Sequence, residues 1–449
     1  MTKQFIASSL IASSLIFFSG CAAVSGHGGS LKKFNDDLSS GKCEYKFFDE
    51  KIKDEDDVIL WGIQGGSMAR NCLDYNKSNE LFDKAELVYK EDVDKDGIVN
   101  NVGEGASSVF VNNNVNDYEG NVYEKVMLNT YKGFNFIALN DLSNARIEFN
   151  RALDRQRRAK EYFEKDIAKK AKENKGKKLD TKAAAAVYKK YGDVLNNFKA
   201  YPDFVNPFTT YSSGLFFLLD GDNSKARDLF KEAMLMEPSN KQIKSDYDLS
   251  EKLSSSLTSK NSKSYAWIIY ENGKGMMEDE MRFDIPLFLV TSKVAYTGIA
   301  LPKIKERAAS YPFLEVNGKK TIMVANMDNV IKTEFKKKFP GIVTEAIISL
   351  TAKTIIQYQA KKKFGLFGGL AAAAYQGLTN KADVRSWTAL PKNFQSVRVE
   401  ITNKPIVIKD NNGKVISSIT IPKNSNALIY IKSESPGNVK IHKTIFSKR

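Results

Sequence analysis

Three aspartates at alternating positions are the sharpest candidate for chemistry in this sequence. Asp92, Asp94 and Asp96, followed by a glycine, match the opening of a calcium-binding EF-hand loop, where carboxylates at positions one, three and five bind the ion. Position twelve, however, is Gly103, and Glu104 lies one residue too late to supply the bidentate ligand. We therefore favour a solvated acidic turn, with a loose calcium loop as the alternative.

Other catalytic groups are scarce in the sequence. The only histidines are His27 and His442, which nearly excludes histidine-based catalysis and histidine metal sites. Glu119 and Glu124 could be the carboxylate pair of a hydrolase, but nothing in the sequence supports the required separation. There is no glycine-rich phosphate loop and no serine nucleophile motif. We therefore predict a protein that is not an enzyme and that has no cofactor, with calcium as the one candidate.

The first 21 residues predict export and lipidation. A lysine precedes the apolar stretch 5–18, and a serine and a glycine come directly before Cys21. This order resembles the lipobox of bacterial lipoproteins, which implies cleavage before Cys21 and acylation of its thiol. No aspartate follows, so we expect the outer membrane of a Gram-negative host, facing the periplasm. Residues 1–20 are then the signal peptide and 21–30 a flexible tether; an ordinary signal peptide that happens to contain Cys21 is the alternative.

Two further cysteines remain once Cys21 carries lipid. Cys43 and Cys72 lie 29 positions apart, and the oxidising envelope compartment would allow them to form a disulfide. Many lipoproteins carry unpaired thiols, however. The sequence therefore leaves both the bridged and the free state open.

The positive charge of the chain is concentrated in one segment. The sequence has 68 basic and 53 acidic residues, and residues 151–200 alone contain 16 Lys or Arg against 7 Asp or Glu. Export argues against nucleic acid as the partner, whereas lipid headgroups or cell-wall polymers would suit a basic surface. A solvated helix face explains the same composition, and we favour that interpretation.

Helical periodicity runs over residues 31–260 and contains a repeat. Two stretches follow the spacing of the tetratricopeptide (TPR) pattern, in which small residues let two helices approach and aromatic residues fill the groove between them. A fainter copy begins at Gly66. The packing residues of the two clearer units are Gly133, Phe136, Ala145, Phe149, Ala152, Gly214, Phe217, Ala226, Phe230, Ala233 and Pro238. A basic helical insert, residues 155–200, separates these units, and we predict that it is an extended helix continuing from the first of them. We expect the inserts or the C-terminal part to cover the repeat faces.

The second part of the chain combines strand patterns with one long helix. Residues 261–394 form a predicted mixed domain, whose apolar helix covers residues 341–380. Short β-branched runs bounded by turns predict an antiparallel, β-sandwich-like module over residues 395–449. Within the helix, the glycine- and alanine-rich stretch 365–374 could pack closely on another helix or insert shallowly into a bilayer interface.

Several features together carry a family resemblance. They are the lipobox, the segment from Tyr118 to Tyr131 that leads into a repeat, and the stretch Asp383-Val-Arg-Ser-Trp-Thr-Ala-Leu-Pro391 with Arg398 downstream. With these features the chain resembles an uncharacterised family of bacterial TPR-containing lipoproteins. The family has no established activity or catalytic residues, so the resemblance implies an architecture and no chemistry.

We predict an α+β fold: an N-terminal irregular TPR-like helical array, then a mixed domain with a long apolar helix and a C-terminal antiparallel β module. Because TPR grooves bind peptides or proteins, the leading hypothesis is a lipid-anchored scaffold or assembly factor of the envelope. Its partners would be the membrane, through the lipid, and an unidentified envelope protein. The alternative is a protein that binds membrane or cell-wall polymer through the basic helix and the glycine- and alanine-rich segment.

Replacing Cys21 with alanine should abolish lipidation and release the protein from the membrane, because the thiol is the only atom of the lipobox that accepts the diacylglycerol. Metabolic labelling with a fatty acid, followed by immunoprecipitation, measures the modification directly. The control variant Ser25→Ala, in the tether, should keep the label. A Cys21→Ala protein that still carries the fatty acid would refute the assignment.

Overall fold

The computed structural model shows a mixed helix-and-sheet protein, with a helix-rich part before a strand-rich part. Four residues singled out by the sequence, Cys21, Asp92, Asp94 and Asp96, lie outside the residues that it describes. The described residues are 27–89, 117–177, 179–196, 200–201, 203–255, 263–287, 295–379 and 381–447.

Twelve helices fall within the described ranges. Eleven of them have 8 to 17 residues, whereas the last has 53 and is about 80 Å long at the usual rise per residue. In chain order the helices are α1 (Gly28–Ser39), α2 (Lys46–Lys53), α3 (Val58–Asn71), α4 (Tyr75–Val88), α5 (Val122–Ala138), α6 (Leu142–Arg157), α7 (Ala159–Glu173), α8 (Thr181–Asn196), α9 (Pro207–Leu219), α10 (Asn223–Met236), α11 (Lys241–Ser255) and α12 (Met327–Thr379).

The described ranges also contain eleven strands, arranged in three sheets. The strands are β1 (Tyr265–Asn272), β2 (Met277–Leu287), β3 (Ala295–Lys305), β4 (Glu315–Val316), β5 (Lys319–Lys320), β6 (Ile322–Asn326), β7 (Asn393–Glu400), β8 (Ile406–Lys409), β9 (Val415–Ile419), β10 (Ser425–Ser435) and β11 (Asn438–Ser447). The central sheet has the order β11-β10-β1-β7-β6. A hairpin of β2 and β3 forms the second sheet, and the third has the order β5-β4-β8-β9.

Three helical hairpins, α3–α4, α5–α6 and α9–α10, share one packing arrangement. A glycine on the first helix lets a phenylalanine of the second lie against its backbone, and the pairs are Gly66 with Phe82, Gly133 with Phe149, and Gly214 with Phe230. A Cβ atom on Gly133 would lie 2.8 Å from the Phe149 ring. The alanines of the second helices are fully buried at Ala145, Ala152, Ala226 and Ala233. Phe217 is buried, Phe136 is partly buried, and Pro238 follows the end of α10.

The turns inside the three hairpins repeat as well. In each, a residue with positive φ (Leu73, Asn140 or Gly221) precedes the aspartate that caps the second helix. The aspartates accept hydrogen bonds from the backbone N–H three residues later, at 3.1, 3.1 and 3.3 Å, and they are Asp74, Asp141 and Asp222. Such caps satisfy N–H groups that the first turn of a helix leaves free. The three hairpins therefore share their turn as well as their packing, and the spacing of large and small residues does not reveal this shared turn.

The central sheet is mixed, which corrects the predicted boundary at residue 394. Strand β1 pairs antiparallel with β7 on one side and parallel with β10 on the other. Residues 261–394 and 395–449 thus contribute to one sheet, and the C-terminal strands are not a separate antiparallel module. The physical reason is the burial of β1, in which every residue after Tyr265 is buried. A strand that is covered on both faces needs a neighbouring strand on each side, and β7 and β10 are these neighbours.

Two helix boundaries also differ from the predictions. The long helix begins at Met327, upstream of the predicted start at 341, and continues through Pro340. A proline in a helix removes one backbone donor, but here the packing of residues on both sides keeps the helix continuous. The insert 155–200 is not one helix continuing from the repeat. It divides into α7 and α8, with Gly176 in a left-handed conformation between them.

The central sheet is the middle of three layers. Successive strand residues point to opposite faces, so Trp267 and Ile269 face the helical hairpins while Ile268 and Tyr270 face the third sheet. The first helices of the hairpins lie on the sheet, because Phe134 of α5 contacts Tyr430 and Phe208 of α9 stacks on Phe394. The sheet therefore covers the hairpins. This agrees with the expectation that the C-terminal part of the chain covers them.

A separate hydrophobic cluster joins α8, β3 and α12, and we call these elements together with β2 the arm. Its α12 residues are Phe335, Phe339, Val343, Ile347 and Leu350, and they pack against Ala183, Val187 and Tyr191 of α8 and Ile299 and Leu301 of β3. Among the described residues, the α12 segment Met327–Ile356 is the one stretch long and apolar enough to cross a membrane by length and composition, and 39% of its most apolar window is buried.

Enlarging the buried alanines of the third hairpin should destabilise the protein. Ala226→Leu and Ala233→Leu each place three extra carbon atoms where α9 and α10 meet, and such overpacking costs about 1–3 kcal/mol. Urea denaturation gives the free energy of unfolding. Lys231→Ala, on the exposed face of α10, is the control and should cost less than about 0.5 kcal/mol. Equal and negligible losses in all three variants would contradict the packing described above.

Candidate functional site

A cluster of buried polar groups surrounds the amino end of α5, and we call it the α5 hub. Glu124 accepts hydrogen bonds from the Asn121 N–H at 2.9 Å and from the Tyr118 hydroxyl at 2.9 Å, so it closes the first turn of the helix. It also accepts one from the Trp387 N–H at 2.7 Å. Glu124 is fully buried, and this burial raises the pKa of its carboxyl group.

The long helix α12 supplies a second carboxylate to the α5 hub. Glu334 accepts hydrogen bonds from the backbone N–H groups of Val122 at 2.8 Å and Tyr123 at 3.1 Å. The ammonium group of Lys338 lies 2.9 Å from Glu334 and 2.8 Å from the Asn121 side-chain oxygen. The positive end of the α5 dipole is therefore occupied by a group that is more than 200 positions away in sequence.

An ion-pair cluster adjoins the α5 hub at the start of α3. Asp57 is 3% exposed. Its carboxylate forms an ion pair with Arg385 at 2.8 Å, accepts a hydrogen bond from the Tyr118 N–H at 2.6 Å and lies 2.8 Å from the His27 imidazole. Burial alone would raise the pKa of Asp57, but the hydrogen bond from His27 and the charge of Arg385 hold the pKa below its usual value. Arg385 also pairs with Asp383 at 2.8 Å.

The geometry of these two clusters favours a structural role over catalysis or metal binding. His27, Asp56 and Asp57 bring donor atoms together, but the guanidinium of Arg385 already neutralises Asp57, which disfavours a cation there. Glu119 pairs with Lys169 on the surface while Glu124 is buried, so the two glutamates have different surroundings and partners. A hydrolase pair needs both carboxylates to face one substrate.

Trp387 occupies the seam between the helical hairpins and the segment that follows α12. Its ring is 1% exposed and makes edge contacts with Phe82 and Tyr131, at centroid distances of 5.7 and 5.6 Å. The indole N–H donates to the Ser67 hydroxyl at 2.7 Å. This burial leaves no exposed surface of Trp387 for a ligand, and the ring serves as packing between α3, α4 and α5.

The first helix of the basic segment, α7, is solvated, and most of its lysines are paired with carboxylates. In α7 only Ala159 is buried. Lys169 lies 2.7 Å from Glu119, Lys170 lies 3.2 Å from Asp166, and Lys165 lies 3.0 Å from Glu161. Exposed pairs of this kind contribute little to stability, and they reduce the net field that α7 presents.

The structure joins Cys43 and Cys72 by a disulfide, with their Cα atoms 5.9 Å apart. The bridge connects the loop between α1 and α2 to the carboxyl end of α3. Of the two states that the sequence leaves open, the structure has the bridged one, and a disulfide stabilises mainly by restricting the unfolded chain.

An open groove of about 600 Å³ lies where α11 meets the central sheet and strand β5. Its lining includes Ser245, Tyr265, Lys319, Lys320 and Ile322. Both lysines are exposed, and the Ile322 side chain is 38% exposed. The groove thus combines positive charge, an aromatic ring and an apolar side chain, and its volume lies in the range of ordinary binding sites.

Arg398 forms the floor of the groove and is held from beneath. Its guanidinium lies 3.0 Å from Asp246, donates to the Ser245 hydroxyl at 2.8 Å and stacks over Tyr265. Asp246 is fully buried and also accepts the Trp267 indole N–H at 3.0 Å. In the sequence, Arg398 stands out only as part of the family resemblance, because its partners lie on a helix about 150 positions earlier.

Removing Arg385 should destabilise the protein strongly, because Asp57 would stay buried without its charge partner. Breaking a buried pair in this way costs about 3–5 kcal/mol. Urea denaturation of Arg385→Ala measures the loss. The matched control is Arg227→Ala on α10, whose ion pair with Asp228 is exposed and whose removal should change stability little. Similar losses in the two variants would contradict a supporting role for the buried cluster.

Comparison with known proteins does not identify a relative of this chain. No protein-family model, no curated protein and no solved structure matches it. Inference about function therefore depends on the geometry of the groove, the α5 hub and the arm.

Proposed function

We propose that this chain is a lipid-anchored scaffold of the bacterial cell envelope that binds a partner protein in the groove beside α11. The observation that carries the proposal is the open, positively charged groove where α11 meets the central sheet and strand β5. Attachment through Cys21, at the outer membrane and facing the periplasm, is the part of the proposal that comes from the sequence.

We interpret the three helical hairpins as TPR-type units. The repeated contact between glycine and phenylalanine supports this assignment, as do the buried alanines of the second helices and the shared aspartate cap in the turn. The array is irregular, because α7 and α8 separate the second unit from the third. In this interpretation the units act as a rigid frame for the sheet.

The surface that repeat proteins usually offer to partners is occupied within this chain. Solenoid repeats commonly bind along a concave face. Here the first helices of the hairpins lie against the central sheet, and the contact of Phe134 with Tyr430 and the stacking of Phe208 on Phe394 close that face. A partner of the scaffold must therefore bind elsewhere, and the groove beside α11 is open to it.

The walls of the groove suit an acidic, partly apolar peptide segment. Lys319 and Lys320 offer two ammonium groups at its rim, while Tyr265 and Ile322 offer apolar surface. The nearby Glu400 pairs with Lys263 at 2.8 Å, which offsets its repulsion of an anionic ligand. Charge complementarity of this kind sets partner choice and association rate more than total affinity.

The alternative function, binding of membrane or cell-wall polymer through the basic helix, has less support from the geometry. The lysines of α7 that such binding would use are largely engaged by neighbouring carboxylates. Calcium binding at Asp92, Asp94 and Asp96 stays a prediction from the sequence, as does the absence of enzymatic activity.

Reversing the charge of the groove rim should reduce partner binding. In cells, a photo-crosslinking amino acid at Ser245 should capture an envelope protein, and adding Lys319→Glu and Lys320→Glu should lower the yield at least fivefold. Lys414→Glu and Lys423→Glu, exposed changes of equal charge elsewhere, serve as the matched control. Mass spectrometry identifies and quantifies the captured protein. An unchanged yield with the rim reversed would argue against the groove as the binding site.

A further inference from the structure

The central sheet has an incomplete edge inside the groove beside α11. Strand β6 pairs with β7 only from Asn393 to Ser396, because Ile322, the partner of Ser396, is the first residue of β6. Before that point the chain belongs to β5, which pairs with β4 of the third sheet. Residues 397–400 of β7 therefore have β1 on one side and, among the described residues, no strand on the other. We call this stretch, about 13 Å long, the open edge, and three of its four residues line the groove.

The backbone groups of Arg398 and Glu400 point away from β1 at the open edge. Successive residues of an antiparallel strand direct their N–H and C=O groups alternately to the two sides of the strand. The Ile401 N–H donates to the Ser264 carbonyl at 2.8 Å, on the side of β1. Glu400 precedes Ile401 by one residue and Arg398 by three, so both direct their backbone groups to the opposite side, into the groove.

Side chains cover only part of the open edge. The Arg398 N–H donates to Gln242 Oε1 at 3.2 Å, and the Arg398 carbonyl accepts from the ammonium group of the exposed Lys319 at 3.4 Å. The Glu400 N–H forms no hydrogen bond within the described ranges. A carbonyl held by a flexible lysine and a free N–H are therefore available to a ligand. An extended peptide that adds to a sheet edge bonds to groups of this kind.

The charges around the open edge define the side chains that suit a ligand. Lys319 and Lys320 are exposed, and neither forms an ion pair with a carboxylate in the part of the chain that the structure describes. The Lys320 ammonium group lies 4.1 Å from the centroid of the Phe313 ring. Glu400 is the one carboxylate among the described lining residues, and it pairs with Lys263 at 2.8 Å. Carboxylates on a ligand would thus supply the counter-charges that the two rim lysines lack.

We propose that the groove binds its partner by strand addition. An extended, acidic segment of the partner protein pairs through its backbone with the open edge at Arg398 and Glu400, and its carboxylates contact Lys319 and Lys320. The inference rests on the proposed function, which supplies the groove as the binding site, and it adds the mode of binding. Backbone pairing provides affinity, whereas the two lysines select acidic side chains.

The test begins with a library of random nine-residue peptides displayed on phage, and its target is the full mature chain with Cys21→Ala. The library is first depleted on the same chain carrying Lys319→Glu and Lys320→Glu, so that the peptides retained depend on the groove rim. We expect the selected peptides to be enriched in Asp and Glu. A library that yields no peptide, or peptides without acidic enrichment, would overturn the proposal.

The backbone contact is tested by removing one N–H group of the open edge. Glu400→Pro deletes the donor that faces the groove and spares the ladder with β1, because a proline is tolerated where the N–H faces away from the sheet. The affinity for a selected peptide, measured by isothermal titration calorimetry, should fall at least tenfold. The matched control Glu400→Ala keeps the N–H and should bind within twofold of the parent chain. Equal affinities of the two variants would reject the contact.

A second measurement leaves the protein unchanged, in case Glu400→Pro fails to fold. Each residue of the selected peptide is N-methylated in turn, which removes one backbone donor and keeps every side chain. Methylation of the residue that donates to the Arg398 carbonyl should weaken binding at least tenfold, whereas methylation at the peptide ends should change it less than twofold. A peptide that tolerates methylation at every position binds through its side chains alone, and strand addition would then be wrong.

Failure of this inference and failure of the proposed function have different signatures. Acidic peptides that require Lys319 and Lys320 but bind equally well to Glu400→Pro would retain the groove as a binding site and reject strand addition. Peptides that require the open edge, together with a photo-crosslinker at Ser245 that captures no envelope protein in cells, would retain strand addition and reject the proposed scaffold function.

Discussion

The rest of the structure is arranged around the backbone N–H groups at the amino end of α5. The helix itself provides no acceptors for these groups, so other residues must accept their hydrogen bonds. A helix start buried in protein cannot use water for these donors, and each one left unsatisfied costs about 1–3 kcal/mol. Glu124 satisfies the first turn from within the helix, and Glu334 does so from α12. Because Trp387 also donates to Glu124, the hairpins, the long helix and the segment that follows it meet at one helix end.

Buried charges repeat this arrangement at other contacts between the helices and the sheet. The ammonium group of Lys132 lies between Glu86 and Glu148, at 2.5 and 3.1 Å, and joins adjacent hairpins. Asp246 joins α11 to the sheet through Arg398. Replacing such pairs by apolar residues can leave stability unchanged, whereas losing one partner is costly. We infer that these buried pairs contribute mainly to specificity: they favour one arrangement of the helices on the sheet over the alternative arrangements.

The same docking decides which surfaces are left for function. Because the sheet covers the first helices of the hairpins, that face of the hairpins is an internal interface. Two features remain at the edges of this contact: the groove between α11 and strand β5, and the arm, whose helix α12 also contributes to the α5 hub. The His27–Asp57–Arg385 contact joins the residue before α1 to the segment that follows α12 through one ion-pair cluster.

What the sequence by itself determined are the features that depend on neighbours along the chain. The spacing of Gly133 and Phe149, or of Gly214 and Phe230, requires only one helix to fold back on the next, and the apolar character of α12 is visible in its composition. Only the tertiary structure decided the parallel pairing of β1 with β10, the capping of α5 by Glu334, and the placement of Arg398 over Asp246. Each of these joins residues more than 150 positions apart, and no local pattern of hydrophobicity states which of many compatible strands or carboxylates will meet. Such contacts form only when burial of the whole hydrophobic core compensates the entropy of closing very long loops.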